Sequence, residues 1–349
     1  MSFSGYRSTK TAKRWIGLFL MAGTVGLAIY FLRSKVVELN GLEHYFATLD
    51  LSYVGLAVVL ELLSLAAYAA VSYYLIRGMQ RRLPFVKLVL ASSASTALGN
   101  SVPFGAAAST YYFYHRLRRL SLDPSRSALV LAGLNILTIL ALVVLAVVGA
   151  LGDQGQAEGL VSPIDMAFLA LVVGLLLFMV FKAELVVSRF AYWVNYLKSI
   201  RKGRAEAVRA ADEARARTQL IKIGRVETAF GFVAAFLNWL FDLAVLFLML
   251  HSTHSQVSLL GVVLSYSVGA LAANLPLTPG GLGVVEGSMA VALVAFGGHE
   301  VPAIAAVVLY RLFSYWLLLP LGAISHGVIK YFEARQGEKE DGLVTSNEI

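Results

Sequence analysis

The chain has 349 residues, of which 58% are hydrophobic and 14% are charged. So much apolar surface exceeds what one water-soluble core can bury, and it predicts an all-α polytopic membrane protein. The sequence contains no cysteine, which excludes disulfides and thiolate metal sites, and its six histidines form no metal-ligand pattern. The net charge of +8 comes from basic residues that flank apolar segments, which favours a role in membrane orientation over binding of nucleic acid.

Six apolar segments are long enough to cross about 30 Å of hydrocarbon as helices. In chain order these predicted spans are Trp15–Leu32, Leu51–Ile76, Ala128–Leu151, Ile164–Phe181, Phe230–Leu250 and Ala303–Ser325. The first span follows basic residues, as a signal peptide would, but no small-residue cleavage site follows it. We therefore expect it to remain in the protein as an anchor.

The positions of Lys and Arg predict the orientation in the membrane. The N-terminus and the turn at Arg77–Lys87 are basic, so both are expected in the cytoplasm. The segment Lys182–Arg225 has eleven Lys or Arg residues against four Asp or Glu, whereas Gln154–Pro163 has neither Lys nor Arg. Lys182–Arg225 is therefore expected in the cytoplasm, and Gln154–Pro163 on the outer side of the membrane. Basic residues after the last span place the C-terminus in the cytoplasm as well.

These assignments divide the chain into a cytoplasmic N-terminus, one membrane domain and a cytoplasmic tail, over residues 1–14, 15–331 and 332–349. Two halves of the membrane domain, over about 15–181 and 229–331, are joined by a basic connection over 182–228. Apolar residues recur at helical spacing within this connection, which is typical of a helix on anionic lipid head groups. A solvated loop that obeys the positive-inside rule fits the same residues equally well.

A first broken segment, Leu88–Tyr114, lies between two basic clusters and is too short for two full crossings. Its middle contains Asn100, Pro103 and Gly105. Proline removes a backbone donor and glycine permits a turn, so we predict a re-entrant helical hairpin whose tip lies inside the membrane. Irregular backbone at that depth needs surrounding protein or water, and we expect a cavity open to the cytoplasm.

A second broken segment, Leu259–Phe296, contains two Pro and three Gly within eight residues. The residues of this break that we single out are Asn274, Pro276, Pro279, Gly280 and Gly281. Each half is short, so a hairpin from the outside and two tilted short spans both fit. Three full spans separate the two breaks, and an odd number inverts the second relative to the first, as in inverted-repeat transporters. Ordinary membrane helices with kinks are the alternative.

Several polar residues fall within apolar segments, where a charge costs at least about 2.5 kcal/mol. They are Glu61, Asn135, Asn238, Asp242, Glu286 and Arg311. Such residues should face one another or a cavity, and for the two asparagines we predict hydrogen bonds between helices. Glu286 follows the second break directly and is the predicted partner of Arg311. The guanidinium of Arg311 is a natural receptor for a phosphate or carboxylate head group, and a purely structural ion pair is the alternative.

The stretch Pro276–Glu286 resembles the flippase-like membrane domain of bacterial lysylphosphatidylglycerol synthases, which also occurs as stand-alone proteins. Asn238–Asp242 and Leu309–Arg311 resemble the form in actinobacterial members, and the resemblance covers roughly Trp15–Tyr331. In many relatives the first break reads Pro-x-x-Gly-Glu followed shortly by Arg, whereas Pro103–Ala108 has neither the acid nor the base. The resemblance implies a protein of the bacterial plasma membrane that moves a phospholipid or another polar lipid between leaflets.

No phosphate-cradling loop, nucleophile elbow or zinc motif is visible in the sequence, so we expect neither an enzyme nor a bound cofactor. Lipid aminoacylation needs a soluble domain, for which the residues after the last span are too few. The alternative to a flippase is a non-catalytic accessory subunit of a lipid-modifying or glycosyl-transferring enzyme in the membrane. A membrane enzyme that uses Glu61, Asp242 and Glu286 as acids ranks third.

The expected partners are therefore membrane lipids with anionic head groups, with a membrane-bound lipid-modifying enzyme as the other candidate and no nucleic acid. The residues that we expect to line the substrate site are Asn100, Pro103, Gly105, Asp242, Asn274, Pro276, Pro279, Gly280, Gly281, Glu286 and Arg311.

Overall fold

The computed structural model describes residues 42–47, 49–102, 105–152, 223–273 and 278–346. This part of the chain is helical and contains no strand, as the composition predicts. In chain order its α-helices are α1 (Leu42–Ala47), α2 (Leu51–Gly78), α3 (Phe85–Ser101), α4 (Gly105–Arg119), α5 (Pro124–Gly152), α6 (Arg225–Ser252), α7 (Leu259–Ala273), α8 (Val284–Ala295), α9 (Glu300–Arg311) and α10 (Leu318–Ser346). A 3₁₀ turn, Pro279–Gly281, precedes α8, and a π-helical turn, Leu312–Leu317, joins α9 to α10.

Helices of membrane-crossing length and hydropathy confirm four of the predicted spans. They are Leu51–Gly78, Pro124–Gly149, Arg225–Ser252 and the continuous helical stretch Glu300–Arg335. The other two predicted spans, Trp15–Leu32 and Ile164–Phe181, lie outside the described residues, as does most of the basic connection. The predicted number of six crossings therefore stays a prediction.

Helices α2 and α6 pack against each other in antiparallel fashion along their whole length. At one end the N–H of Gly224 donates to the carbonyl of Gly78 at 3.0 Å. At the other end the rings of Tyr53 and His251 lie 6.0 Å apart. This single register fixes which polar residues of the two helices face each other at mid-length.

The first break forms a helical hairpin, as the Pro and Gly residues predict. Helices α3 and α4 run antiparallel, and the hydroxyl of Ser95 donates to the carbonyl of Ser109 at 2.8 Å. Near the tip, Gly105 lies so close to the carbonyl of Gly99 that a Cβ atom there would collide with it. Glycine is therefore required at Gly105 by the approach of the two backbones. Pro103, which comes between the two helices in the sequence, lies outside the described residues.

The second break also forms a hairpin. Gly269 of α7 packs against Met289 of α8, and Gly281 packs against Ala273 nearer the tip. The two helices have 15 and 12 residues. Lengths of about 22 and 18 Å follow from the helical rise, and both are shorter than a bilayer core. This favours the hairpin over two separate spans.

The two hairpin tips meet beside the last long helix. The hydroxyl of Tyr315 donates to the carbonyl of Asn100 at the first tip at 3.0 Å. Gly280, at the second tip, has φ +56° and lies against the ring of the same tyrosine, which leaves no room for a side chain. Farther along, Gly322 packs on Ser93 and Ala97 of α3. Small side chains on α3 thus allow α10 to approach closely at this point.

Basic residues gather at one end of the molecule. Arg116 and Arg119 of α4 both contact Glu333 of α10, and Arg77 lies in the last turn of α2, beside the start of α6. A buried cluster that includes Ile76 and Leu117 joins these helix ends. The arrangement agrees with the positive-inside pattern read from the sequence, and the side of the membrane that this end faces stays a prediction.

Candidate functional site

A cavity of about 370 Å³ lies where the two hairpin tips meet. Its volume is within the usual range for small-molecule sites. Predicted site residues that line it are Asn100, Gly105, Asp242, Gly280 and Arg311, together with Glu61 and Asn238 from the set of membrane-embedded polar residues. The structure therefore brings both breaks and most of the buried polar groups to one place.

Arg311 is held in the wall of this cavity by three contacts. Its Nε donates to Oε1 of Glu286 at 2.7 Å, and its Nη2 donates to the carbonyl of Gly280 at 2.7 Å. The guanidinium also lies over the ring of Tyr315, with 4.6 Å from Cζ to the ring centroid. The predicted pairing of Glu286 with Arg311 is confirmed, and the arginine is 8% exposed.

Glu286 makes a second contact that the sequence analysis did not foresee. Its Oε2 accepts the N–H of Gly283 at 2.6 Å, where α8 begins. A helix start of this kind can hold an anion through its free N–H groups. A glutamate three residues into a helix reaches back to the first free N–H, so the position is already taken by a carboxylate of the protein.

The π-helical turn Leu312–Leu317 starts directly after Arg311. Pro320 follows three residues beyond this turn. A proline has no N–H, and its ring clashes with the carbonyl four residues earlier, here that of Trp316. The widened turn relieves this conflict, and single π turns are frequent at functional sites. Pro320, a single proline within a predicted apolar span, was the sequence signal from which this turn could have been predicted.

Asp242 lies in the cavity wall contributed by α6. Its Oδ2 accepts hydrogen bonds from the hydroxyls of Tyr266 at 2.6 Å and Tyr310 at 2.8 Å. Glu61 of α2 lies within hydrogen-bonding and electrostatic range of Asp242 and is 3% exposed. The sequence marked Glu61 as costly in a membrane but did not assign it to the substrate site, because its position opposite Asp242 depends on the register of α2 and α6.

The two asparagines within the apolar segments have different outcomes. Asn238 bonds across to α2, with its Nδ2 donating to the hydroxyl of Ser64 at 2.8 Å and to the carbonyl of that residue at 3.1 Å. The predicted bond between helices is confirmed there. The amide of Asn135 donates instead to Leu131 of its own helix at 2.8 Å. In the described part of the chain the inter-helix bond predicted for Asn135 is not found.

Other predicted site residues divide into two groups. Pro279 and Gly281 are buried in the 3₁₀ turn, on either side of Gly280. Pro103, Asn274 and Pro276 lie outside the described residues.

The tyrosines Tyr266, Tyr310 and Tyr315 were missed, since tyrosine in an apolar segment is too common to signal a site. Among the residues that the structure describes, no three His, Asp or Glu side chains are placed to hold a metal ion.

Membrane-length helices around two broken hairpins, with ionisable side chains at their junction, define a polytopic membrane protein with an internal polar site. The family model of the lysylphosphatidylglycerol synthase TM region matches residues 14–322, and the chain belongs to this family. The resemblance carried by Pro276–Glu286 is thereby confirmed.

Relatives from one organism are similar over different parts of the chain. A UPF0104 membrane protein from Methanothermobacter thermautotrophicus is 25% identical over 346 residues, which cover 92% of this chain and 97% of that protein. Another UPF0104 membrane protein of the same organism is 31% identical over 93 residues, or 27% of this chain and 28% of that protein. These similarities agree with the family assignment.

Proposed function

We propose that the protein is a lipid flippase, in which Arg311 binds the phosphate or carboxylate of a polar lipid as the head group passes between leaflets. The observation that carries the proposal is the position of Arg311 where the two broken hairpins meet, in the wall of a cavity. A buried arginine offers a fixed charge and planar paired donors, which suit phosphate.

Glu286 fits the role of an internal substitute for the lipid anion. Its carboxylate neutralises Arg311 while the site is empty, which avoids a bare charge in an apolar interior. An arriving phosphate competes for the same guanidinium. On displacement, Glu286 still has the N–H of Gly283 as a partner, so neither charge is left without a hydrogen bond.

Movement of the hairpins supplies access to the site. The tips touch through Tyr315, which contacts Asn100 of the first and Gly280 of the second. A bond from a side chain to one backbone carbonyl is weak enough to break and re-form as the tips part. The head group passes through the polar cavity while the acyl chains stay in the surrounding lipid.

The test is leaflet exchange of fluorescent phosphatidylglycerol after reconstitution into phosphatidylcholine vesicles. The variant Glu286→Gln with Arg311→Gln should be folded and should have lost at least about tenfold in exchange rate, equal to about 1.4 kcal/mol of barrier. Its matched control is Arg116→Gln with Glu333→Gln, which removes a comparable pair outside the cavity and should exchange lipid normally.

Normal exchange by the first double variant would remove Arg311 from the proposed mechanism. A wild-type protein that exchanges no lipid, yet stably binds a membrane enzyme, would instead support the accessory-subunit alternative.

A further inference from the structure

A second polar site lies in the same cavity, formed by the carboxyl groups of Glu61 and Asp242. The antiparallel register of α2 and α6, which pairs Ser64 with Asn238, also sets these two acids opposite each other. Both residues line the cavity. Glu61 and Asp242 belong to α2 and α6, whereas Arg311 belongs to α9. Neither acid takes part in the three contacts that hold Arg311.

The two acids carry oxygen atoms that lack partners. Oε2 of Glu61 and Oδ1 of Asp242 are buried and accept no hydrogen bond from the described residues. The other oxygen of Asp242 accepts two tyrosine hydroxyls, which suits an anion. Among the described residues, no such pair of hydroxyls contacts Glu61, which is 3% exposed. A buried acid of this kind in a cavity wall needs a ligand of its own.

Charge around the pair points to the identity of that ligand. The titratable or charged groups that face the acids are Tyr266 of α7 and Tyr310 and Arg311 of α9, and Tyr68 lies on the same cavity wall of α2. Glu286 already neutralises Arg311. Two ionised carboxylates side by side are disfavoured in an apolar interior, so the pair is disposed to take up one proton, and a further negative charge nearby strengthens this tendency.

We propose that Glu61 and Asp242 form a proton-binding site coupled to lipid binding, so that one proton accompanies each anionic lipid. The inference rests on the proposed flippase function. A proton from water forms an O–H bond on Glu61 as the lipid anion enters, and the same bond breaks when the lipid leaves on the other side. The coupling is electrostatic, since the lipid phosphate makes a second negative charge at the acid pair less favourable.

The first test detects the proton directly. Infrared spectroscopy of the purified protein, titrated from high to low pH, should show the carbonyl stretch of a buried protonated carboxylic acid appear as the pH falls. The band should be absent in Glu61→Gln and present in Glu333→Gln, an acid outside the cavity. A wild-type spectrum without a band that depends on Glu61 would overturn the inference, whatever the protein does with lipids.

The second test measures the coupling. The affinity of the detergent-solubilised protein for short-chain phosphatidylglycerol should rise as pH falls, by up to about tenfold per pH unit for one linked proton. The slope should disappear in Glu61→Gln. Asp242→Asn is the second variant, in case the first does not fold, and it should flatten the slope as well. Glu333→Gln, an acid outside the cavity, should keep the slope of the wild type.

The outcomes separate this inference from the function on which it rests. Binding of lipid with no dependence on pH would overturn the coupling but leave the flippase proposal intact. Dependence on sodium at constant pH would replace the proton with a metal cation and also overturn it. Failure to bind or exchange the lipid at any pH would count against the proposed function, while the infrared band would still decide whether the acids hold a proton.

Discussion

Two arginine–glutamate pairs, each with a buried arginine and a half-buried glutamate, allow the effect of position to be separated from the effect of burial. The side chains of Arg311 and Glu286 are 10% and 25% exposed, and those of Arg116 and Glu333 are 9% and 30% exposed. Their N···O distances are 2.7 and 2.6 Å. The pairs thus differ mainly in that one lies in the cavity and the other joins helices at the basic end.

Removal of Arg311 alone should destabilise the protein. Arg311→Ala leaves Glu286 charged and without its strongest partner. The free energy of unfolding should fall by about 3 kcal/mol, the lower end of the range for breaking a buried ion pair. The change to glutamine at both positions should recover most of this loss, because no buried charge remains. Thermal unfolding in detergent measures both effects. Equal stability of Arg311→Ala and the wild type would show that Glu286 does not depend on the arginine.

A separate prediction concerns the hydrogen bonds between Asn238 and Ser64. A double-mutant cycle with Ser64→Ala and Asn238→Ala should give a coupling energy of about 0.6 to 1.7 kcal/mol, as for other polar contacts between membrane helices. The measurement is reversible unfolding in a detergent mixture. Asn135→Ala is the control, since Asn135 donates to its own helix and should show no coupling with Ser64.

At the scale of helices, the two breaks were predictable because their chemistry is local. Proline without an N–H and glycine at positive φ interrupt a helix whatever surrounds them, as at Pro279 and Gly280. What the tips contact was not predictable. The bond from Tyr315 to Asn100 spans 215 positions in sequence, and it depends on the rotation of each helix about its axis, which a hydropathy pattern does not encode.

The pairing of acids from two different helices could not be predicted from the sequence either. Glu61 and Asp242 were each recognisable as membrane-embedded charges. That they face each other follows from the register of α2 against α6, which is fixed by packing along the whole contact and by the bond from Gly224 to Gly78. The spacing within either helix carries no information on that register.

Close packing of the first hairpin on the last helix can be tested with two glycines of α10. A Cβ atom on Gly322 would collide with Ala97 and with the backbone of Ser93, whereas nothing lies within 4 Å of such an atom on Gly327. Gly322→Ala should therefore destabilise the protein by about 1 to 3 kcal/mol, the usual effect of overpacking. Gly327→Ala should be neutral or slightly stabilising, since alanine favours the helix.

A second substitution distinguishes this clash from other causes. Ala97→Gly removes the methyl group that meets the new side chain, so it should restore part of the stability of Gly322→Ala. Unfolding midpoints of the three variants and the double variant give the comparison. A Gly322→Ala protein as stable as Gly327→Ala would contradict the close packing of α3 and α10.

At the scale of the whole molecule, charge is distributed unevenly along the direction of the long helices. One end carries Arg77, Arg116 and Arg119, whereas the loop between α6 and α7, at the opposite end, has no Lys or Arg. Arginine and lysine are retained on the cytoplasmic side during membrane insertion. The asymmetry therefore predicts that the basic end faces the cytoplasm and that both hairpins meet between the two water-facing ends.

Single-cysteine labelling tests this orientation without a background, because the chain contains no cysteine of its own. Ala334 lies exposed near the basic end, and Gln256 lies exposed in the loop between α6 and α7. In intact cells a membrane-impermeant thiol reagent should label Gln256→Cys and leave Ala334→Cys unlabelled until the membrane is opened. Wild-type protein is the control for specificity. Labelling of Ala334→Cys alone in intact cells would invert the topology, and the cavity expected to open toward the cytoplasm would then have to open outward.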